Sequence, residues 1–342
     1  MSSPPAMSEI KENVWHASWN ELLARRPDQD NRLDETDAEL VPSGDDELLA
    51  LTTDTVAEEI AVGLYREPET VGWVGATAAL SDLAAVGARP LGLVAAVALP
   101  RRAARSWQQG IGRGLAAACR GAGTFVLGGD TSFAETPSVT CSALGRVRRG
   151  EALRRLGCVP GEIVYVTGPL GAGSLLAARV LQGERAERGF RPRARLAEAR
   201  RLAGYARCCM DTSDGLIATL DQLMRLNGVG FELRTPLEAL LCAEARALCV
   251  GAGLPPLAML AGQHGEFELV VTVRAADRRA FEAHLSDDGL RLLEIGRTIE
   301  TPVIRVGGPA PRVIDSTRIR NLLDQSATDL PSYAAALVEL CR

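Results

Sequence analysis

Hydrophobic and polar positions along the chain alternate between two kinds of pattern. Residues 91–99 are continuously apolar and predict a buried strand, while residues 138–147 alternate and predict a strand with one wet face. Residues 70–86 are Ala-rich and predict a helix that ends at Gly87-Ala88-Arg89-Pro90. A second helix is predicted over 103–122. Residues 40–53 read as two short strands around a turn at Ser43-Gly44-Asp45-Asp46, and 124–127 as a strand running into Gly128-Gly129-Asp130-Thr131. Further strands are predicted at 163–167, 230–233, 269–273, 292–295 and 303–306. Helices are predicted at 174–181, at 196–202, after Gly215 through 226, and in the tail from 314 onward. Val14, Trp15, Trp19, Leu22 and Leu23 recur at helical spacing and predict a short docking helix near the N-terminus. This alternation predicts an α/β or α+β chain in two halves, with an extension over 1–36, an N-terminal domain over 37–150 and a C-terminal domain over 151–342.

One apolar run, Leu49-Ala50-Leu51, ends in Thr52-Thr53-Asp54-Thr55, as a buried strand would if it delivered oxygen ligands at its C-terminal end. Hard oxygen donors suit Mg²⁺, which commonly arrives with phosphate. Asp45, Asp46, Asp82, Asp130, Asp211 and Asp214 also sit beside Gly, Ser or Thr, or lie next to an acid that does.

Composition narrows the picture. The chain has 342 residues, 46% of them hydrophobic and 24% charged, enough for a substantial core. Its net charge of -5 and the lack of a basic tract interleaved with aromatics argue against nucleic acid as a partner. The eight cysteines form no Cys-x-x-Cys pair and predict buried free thiols in a reducing compartment. No signal segment or membrane span is expected, so the expected location is the cytoplasm. The Gly-rich stretch 168–173 lacks the Gly-Lys-Ser/Thr ending of a phosphate-binding loop and is read as close strand–helix packing.

Gly44-Asp45-Asp46, Thr52-Thr53-Asp54, residues 80–88 (Leu-Ser-Asp-Leu-Ala-Ala-Val-Gly-Ala), Gly128-Gly129-Asp130-Thr131 and residues 211–216 (Asp-Thr-Ser-Asp-Gly-Leu) occur in the order found in thiamine-monophosphate kinases. Ala152-Leu153-Arg154-Arg155 and Pro160-Gly161 match as well, and the resemblance covers about residues 40–300. It implies a PurM-like fold of two α/β halves, a homodimer whose N-terminal sheets form a shared barrel, and ATP in the cleft with several Mg²⁺ ions. It places metal ligands at Asp46, Thr52, Thr53, Asp54, Asp82, Asp130, Asp211 and Asp214, with Asp54, Asp82, Asp130 and Asp211 as the catalytic set. Nucleotide contacts fall at Gly129, Asp130, Arg155 and Ser213.

The acceptor side departs from the resemblance. A substrate histidine falls on Ala61 and a substrate glutamate on Gly265, and a stacking aromatic has no counterpart within 314–332. The helix before Ser81 carries Val74 and Ala79 where the kinases carry Lys and Asn. The expected activity is therefore Mg²⁺-dependent phosphoryl transfer from ATP to a small-molecule acceptor, either thiamine monophosphate or an altered substrate, with His264 and Glu266 as acceptor candidates. Two alternatives stay open: a synthetase or dehydratase that activates an amide or carbonyl oxygen by phosphorylation, and a nucleotide-binding protein without turnover.

Overall fold

The computed structural model describes residues 4–325 and 329–342. The N-terminal half is built from α1 (Lys11–Leu22), β1 (Glu39–Pro42), β2 (Glu47–Thr55), α2 (Ala57–Ala61), α3 (Pro68–Ala85), β3 (Arg89–Leu99), α4 (Arg105–Gly121), β4 (Val126–Phe133) and β5 (Ser138–Arg148). Its five strands lie in the order β1-β2-β5-β3-β4. Only β3 and β4 pair in parallel, across the α4 crossover, and the other neighbours are antiparallel.

The apolar and Ala-rich character of 70–86 has its reason in packing. Helix α3 is buried nearly all round, between the first sheet and α4. Gly72 and Gly114 let α3 and α4 meet at backbone distance. A Cβ on Gly72 would lie 2.1 Å from the Ile111 carbonyl oxygen, and one on Gly114 would lie 2.1 Å from that of Glu69. The opposite sheet face is bare: Thr53, Thr55, Val94 and Ala96 are exposed there, and β4 is exposed along its whole length.

The second half carries β6 (Ile163–Val166), α5 (Ala172–Leu181), α6 (Leu196–Leu202), β7 (Ala206–Asp211), α7 (Leu216–Asn227) and β8 (Gly230–Leu233). It continues through α8 (Leu237–Leu240), α9 (Ala243–Ala252), α10 (Pro256–Ala261), β9 (Leu269–Val273), α11 (Arg278–Ser286), β10 (Leu293–Ile299), β11 (Ile304–Val306) and β12 (Arg312–Ile314). It ends with α12 (Ser316–Arg320), α13 (Leu322–Gln325) and α14 (Leu330–Cys341). Seven strands form a mixed sheet in the order β12-β11-β8-β10-β6-β9-β7. Helix α3 also touches β7 and α6, so one helix joins both halves.

The N-terminal helix docks, but not through the predicted apolar stripe. Trp15, Trp19, Leu22 and Leu23 are exposed, and the residues that turn inward are Ile10 and Asn13. Polar clamps hold the segment instead. Asn13 donates to Gln222 at 3.2 Å, and Asn321 donates to the Glu9 carbonyl at 2.8 Å. The fully buried Arg225 guanidinium donates to Asp221 at 2.7 Å and to the Ala6 carbonyl at 2.5 Å. All eight cysteines are unpaired, and seven of them are buried. Among the described residues, no helix is long and apolar enough to cross a membrane.

Candidate active site

Strand β2 delivers Thr52 and Asp54 to the sheet face that α3 covers. The Thr52 hydroxyl donates to Asp82 Oδ2 at 2.5 Å, and Asp82 sits in the last turn of α3. From the other half, β7 ends in Asp211, whose Oδ2 accepts the Ser81 hydroxyl at 2.6 Å. Carboxylate oxygens of Asp37, Asp82 and Asp211 all lie within 4.8 Å of one another. Arg155 answers them, with its Nη2 2.9 Å from Asp37 Oδ1.

Such crowding raises proton affinity. Burial first, and then the neighbouring Asp211, Asp54 and Asp37 carboxylates, push Asp82 well above the usual carboxylate range. Burial and Asp37 push Asp211 up to about 7. Asp54 is raised by burial too. Asp214, on the loop after β7, is reached by solvent through a cavity yet is ringed by protein, and it is raised to about 7. Asp37 Oδ2 is buried with no partner among the described residues. An all-oxygen donor set, an excess of acids over one arginine and an unengaged carboxylate oxygen together fit a hard divalent cation such as Mg²⁺.

The structure does not bring every predicted ligand together. Asp46 is exposed in the β1–β2 turn, at the far end of β2 from Asp54, roughly 25 Å along the strand at the usual rise per residue. The residue that occupies the cluster is Asp37. Hairpin register would have found it: Glu39 pairs with Leu51, so the chain two residues earlier runs beside Thr53. Thr53 turns its hydroxyl to Ser142 at 2.8 Å, on the bare sheet face. Asp130 shares that bare face, because its row across the sheet runs Thr55, Thr140, Ala96, Asp130. Two strands, β5 and β3, separate it from β2. Gly129 precedes it on exposed β4. Ser213 donates its hydroxyl to Asp211 Oδ1 at 3.1 Å, which closes the turn.

A cavity of about 1160 Å³ adjoins the acids. Glu59, Asp214 and His264 line it near the cluster, α1 and α14 form its outer walls, and Leu181 and Met259 are among its aliphatic lining. His264 Nε2 lies 3.0 Å from the Tyr65 hydroxyl, and burial lowers its pKa to about 4, so the ring is neutral. The other acceptor candidate, Glu266, is not part of this lining. Its Oε2 accepts the Gly171 N–H at 2.8 Å, so the Gly-rich turn before α5 closes on an internal carboxylate. Gly265 has no room for a side chain, since a Cβ there would lie 1.5 Å from the Thr212 carbonyl oxygen. An aromatic missing from 314–332 does occur one residue later: Tyr333 lines the cavity and accepts the Gln263 N–H at 2.9 Å.

Comparison with known proteins agrees with this architecture. The family model for the N-terminal domain of AIR synthase related proteins matches residues 35–147, and the model for their C-terminal domain matches 159–308. The thiamine-monophosphate kinase of Archaeoglobus fulgidus is 31% identical over 256 residues, covering 73% of this chain and 78% of the relative. The crystal structure of thiamine monophosphate kinase from Aquifex aeolicus superposes with a TM-score of 0.68 at 26% identity, covering 81% of this chain and 92% of that one. The structure of AaThiL complexed with AMPPCP and TMP shares the fold, with a TM-score of 0.73 at 23% identity over 92% of this chain and 99% of that one. On these matches the chain belongs to the thiamine-monophosphate kinase family of AIR synthase related proteins.

Proposed function

We propose that this chain is an ATP-dependent kinase whose acid cluster holds Mg²⁺ with the ATP phosphates, and that it transfers the γ-phosphoryl group to a small molecule in the adjoining cavity. The observation that carries the reading is the meeting of Asp37, Asp82 and Asp211, drawn from both halves of the chain, beside Thr52, Asp54 and Asp214. When bound, Mg²⁺ supplies charge neutralisation and in-line positioning of the phosphoryl group. Asp37, Asp54, Asp82, Asp211 and Asp214 would hold it, with the Thr52 hydroxyl beside them. Arg155 balances Asp37 and stands where a phosphate can meet a cation. Phosphoryl transfer asks chiefly for position and charge, and a protein nucleophile is not required.

The same reading includes a homodimer. Support comes from the bare β4 edge, where Phe125, Leu127 and Phe133 are 71%, 60% and 62% exposed. An edge strand open on both faces calls for a partner. A second copy seated along this edge would bury these apolar side chains and bring Asp130 and Gly129 into an interface, which a single chain leaves in solvent.

The test is ATP consumption by purified protein with and without Mg²⁺, with thiamine monophosphate as acceptor and ADP as the readout. Mg²⁺-dependent ADP formation that Asp211→Asn abolishes supports the reading. ADP formation unaffected by chelation contradicts it.

A further inference from the structure

We propose that Arg320 receives the phosphate of a phosphate-monoester acceptor, and that the Glu12 carboxylate of α1 holds that place until the acceptor displaces it. The inference rests on the kinase reading above and names two residues that set the acceptor specificity of that site.

The charge balance beside α7 leaves a cation over. Asp221 is fully buried and is shared by two buried guanidinium groups. Arg225 Nε lies 2.7 Å from Asp221 Oδ2, and Arg320 Nη1 lies 3.3 Å from the same oxygen. The Ser316 hydroxyl donates to Asp221 Oδ1 at 2.6 Å. One carboxylate balances one of the two charges. Among the described residues, the other charge is met only from the N-terminal segment: Glu9 lies 3.3 Å from Arg225, and Glu12 lies 3.1 Å from Arg320 Nη2. The side chains of these glutamates are 46% and 56% exposed. A buried guanidinium needs an anion, and a half-exposed carboxylate holds one only weakly.

The surplus charge faces the cavity. Arg320, Glu12 and Asp214 all line it. Glu12 raises and Arg320 lowers the proton affinity of Asp214, so the pair stands beside the proposed Mg²⁺ site. The guanidinium is fixed from behind, where Nη1 also donates to Gln222 at 2.6 Å and the Arg320 carbonyl accepts from the Gln263 side-chain amide. Nη2 is the nitrogen that Glu12 covers, and a planar guanidinium anchored in this way suits a phosphate oxygen. Glu12 can turn out to solvent without unseating α1, because Asn13 still donates to Gln222 at 3.2 Å and the Lys11 N–H to Asn321 at 3.3 Å. The aliphatic lining at Leu181 and Met259 leaves room for the organic part of the acceptor.

Both partners lie outside the domains shared with other AIR synthase related proteins. Glu12 precedes the stretch 35–147 and Arg320 follows the stretch 159–308. The contact therefore belongs to the two ends of this chain, which meet over the cavity.

Calorimetric titration of thiamine monophosphate into the full chain, with Mg²⁺ and AMPPCP present, reads this site. Glu12→Gln should bind thiamine monophosphate about threefold more tightly than wild type, the scale of one half-exposed ion pair. Thiamine, which lacks the phosphate, should gain nothing from that change. Arg320→Gln should bind thiamine monophosphate at least about tenfold more weakly. Should Arg320→Gln fail to fold, Glu12→Gln decides alone, since a merely structural ion pair would give that variant a lower melting temperature and no gain in affinity. Unchanged or weaker binding in Glu12→Gln, an equal gain for thiamine, or no binding of thiamine monophosphate by either wild type or Glu12→Gln overturns the proposal. In each of those cases Mg²⁺-dependent ADP formation leaves the kinase reading standing, whereas ADP formation indifferent to Mg²⁺ removes that reading itself.

Discussion

An oxygen of Asp82 lies within 4.8 Å of an oxygen of Asp211, although one residue ends a helix of the N-terminal half and the other ends a strand of the C-terminal half. Both are raised by burial and by neighbouring carboxylates. Without a cation, these acids oppose the contact between α3 and β7. Replacing either with its neutral isostere should therefore stabilise the metal-free protein while removing the response to metal. In chelator, Asp82→Asn is expected to raise stability by about 1–2 kcal/mol in urea unfolding. Added Mg²⁺ should raise the melting temperature of the wild type and leave that of the variant unmoved. A variant less stable than wild type in chelator would count against mutual repulsion.

Asp37 and Asp46 offer a second contrast. The buried Asp37 carboxylate pairs with half-buried Arg155, and Asp46 sits in an exposed turn. Asp46→Asn should leave ADP formation within about twofold of wild type, as exposed substitutions usually do. Asp37→Asn should cut it by orders of magnitude and cost about 3–5 kcal/mol by leaving Arg155 uncompensated. Equal activity in the two variants would remove Asp37 from the site.

This contrast also marks what the sequence made legible. An apolar strand ending in Thr52-Thr53-Asp54 and the Ser81-Asp82 and Asp211–Asp214 motifs led to the acids that meet, because each pairs an acid with local turn or strand chemistry. Asp37 was hidden because Gly44-Asp45-Asp46 is the more conspicuous acidic pair, and only the hairpin register shows which acid returns to the end of β2. Glu266 looked like a ligand in isolation. Its partner is the turn at Gly171, nearly a hundred residues earlier in the chain, and no local pattern predicts that contact. Helices α8 to α11 lie outside the sequence-based expectation because none of them starts on a side-chain cap that would mark its N-terminus. The docking of α1 was anticipated, but the face was not, since clamps from Arg225 and Gln222 override its apolar stripe.

His264 gives the fold a pH dependence of definite sign. Burial lowers its pKa from 6.5 to about 4, so the folded protein holds it neutral where the unfolded chain would take a proton. Its contribution is fully present above 6.5 and is lost as pH falls through about 4. Between about pH 7 and about pH 5, wild type should lose about 1–2 kcal/mol more than His264→Gln in urea titrations. Parallel losses in the two proteins would show that the ring titrates freely in the folded state.

The bare β4 face predicts self-association. Leu127→Asp places a charge on the exposed β4 edge, and it should shift sedimentation from dimer to monomer without unfolding the chain. A monomeric wild type, or a dimer indifferent to this change, would place the interface elsewhere.

The most direct test of the metal-nucleotide site is calorimetric titration of ATP into the protein with Mg²⁺ and with chelator, for wild type and for Asp211→Asn. The account predicts that wild type binds ATP only with Mg²⁺ and that Asp211→Asn loses at least about tenfold in affinity, the scale of one lost charged contact. ATP binding of equal strength in chelator, or in the variant, would contradict it.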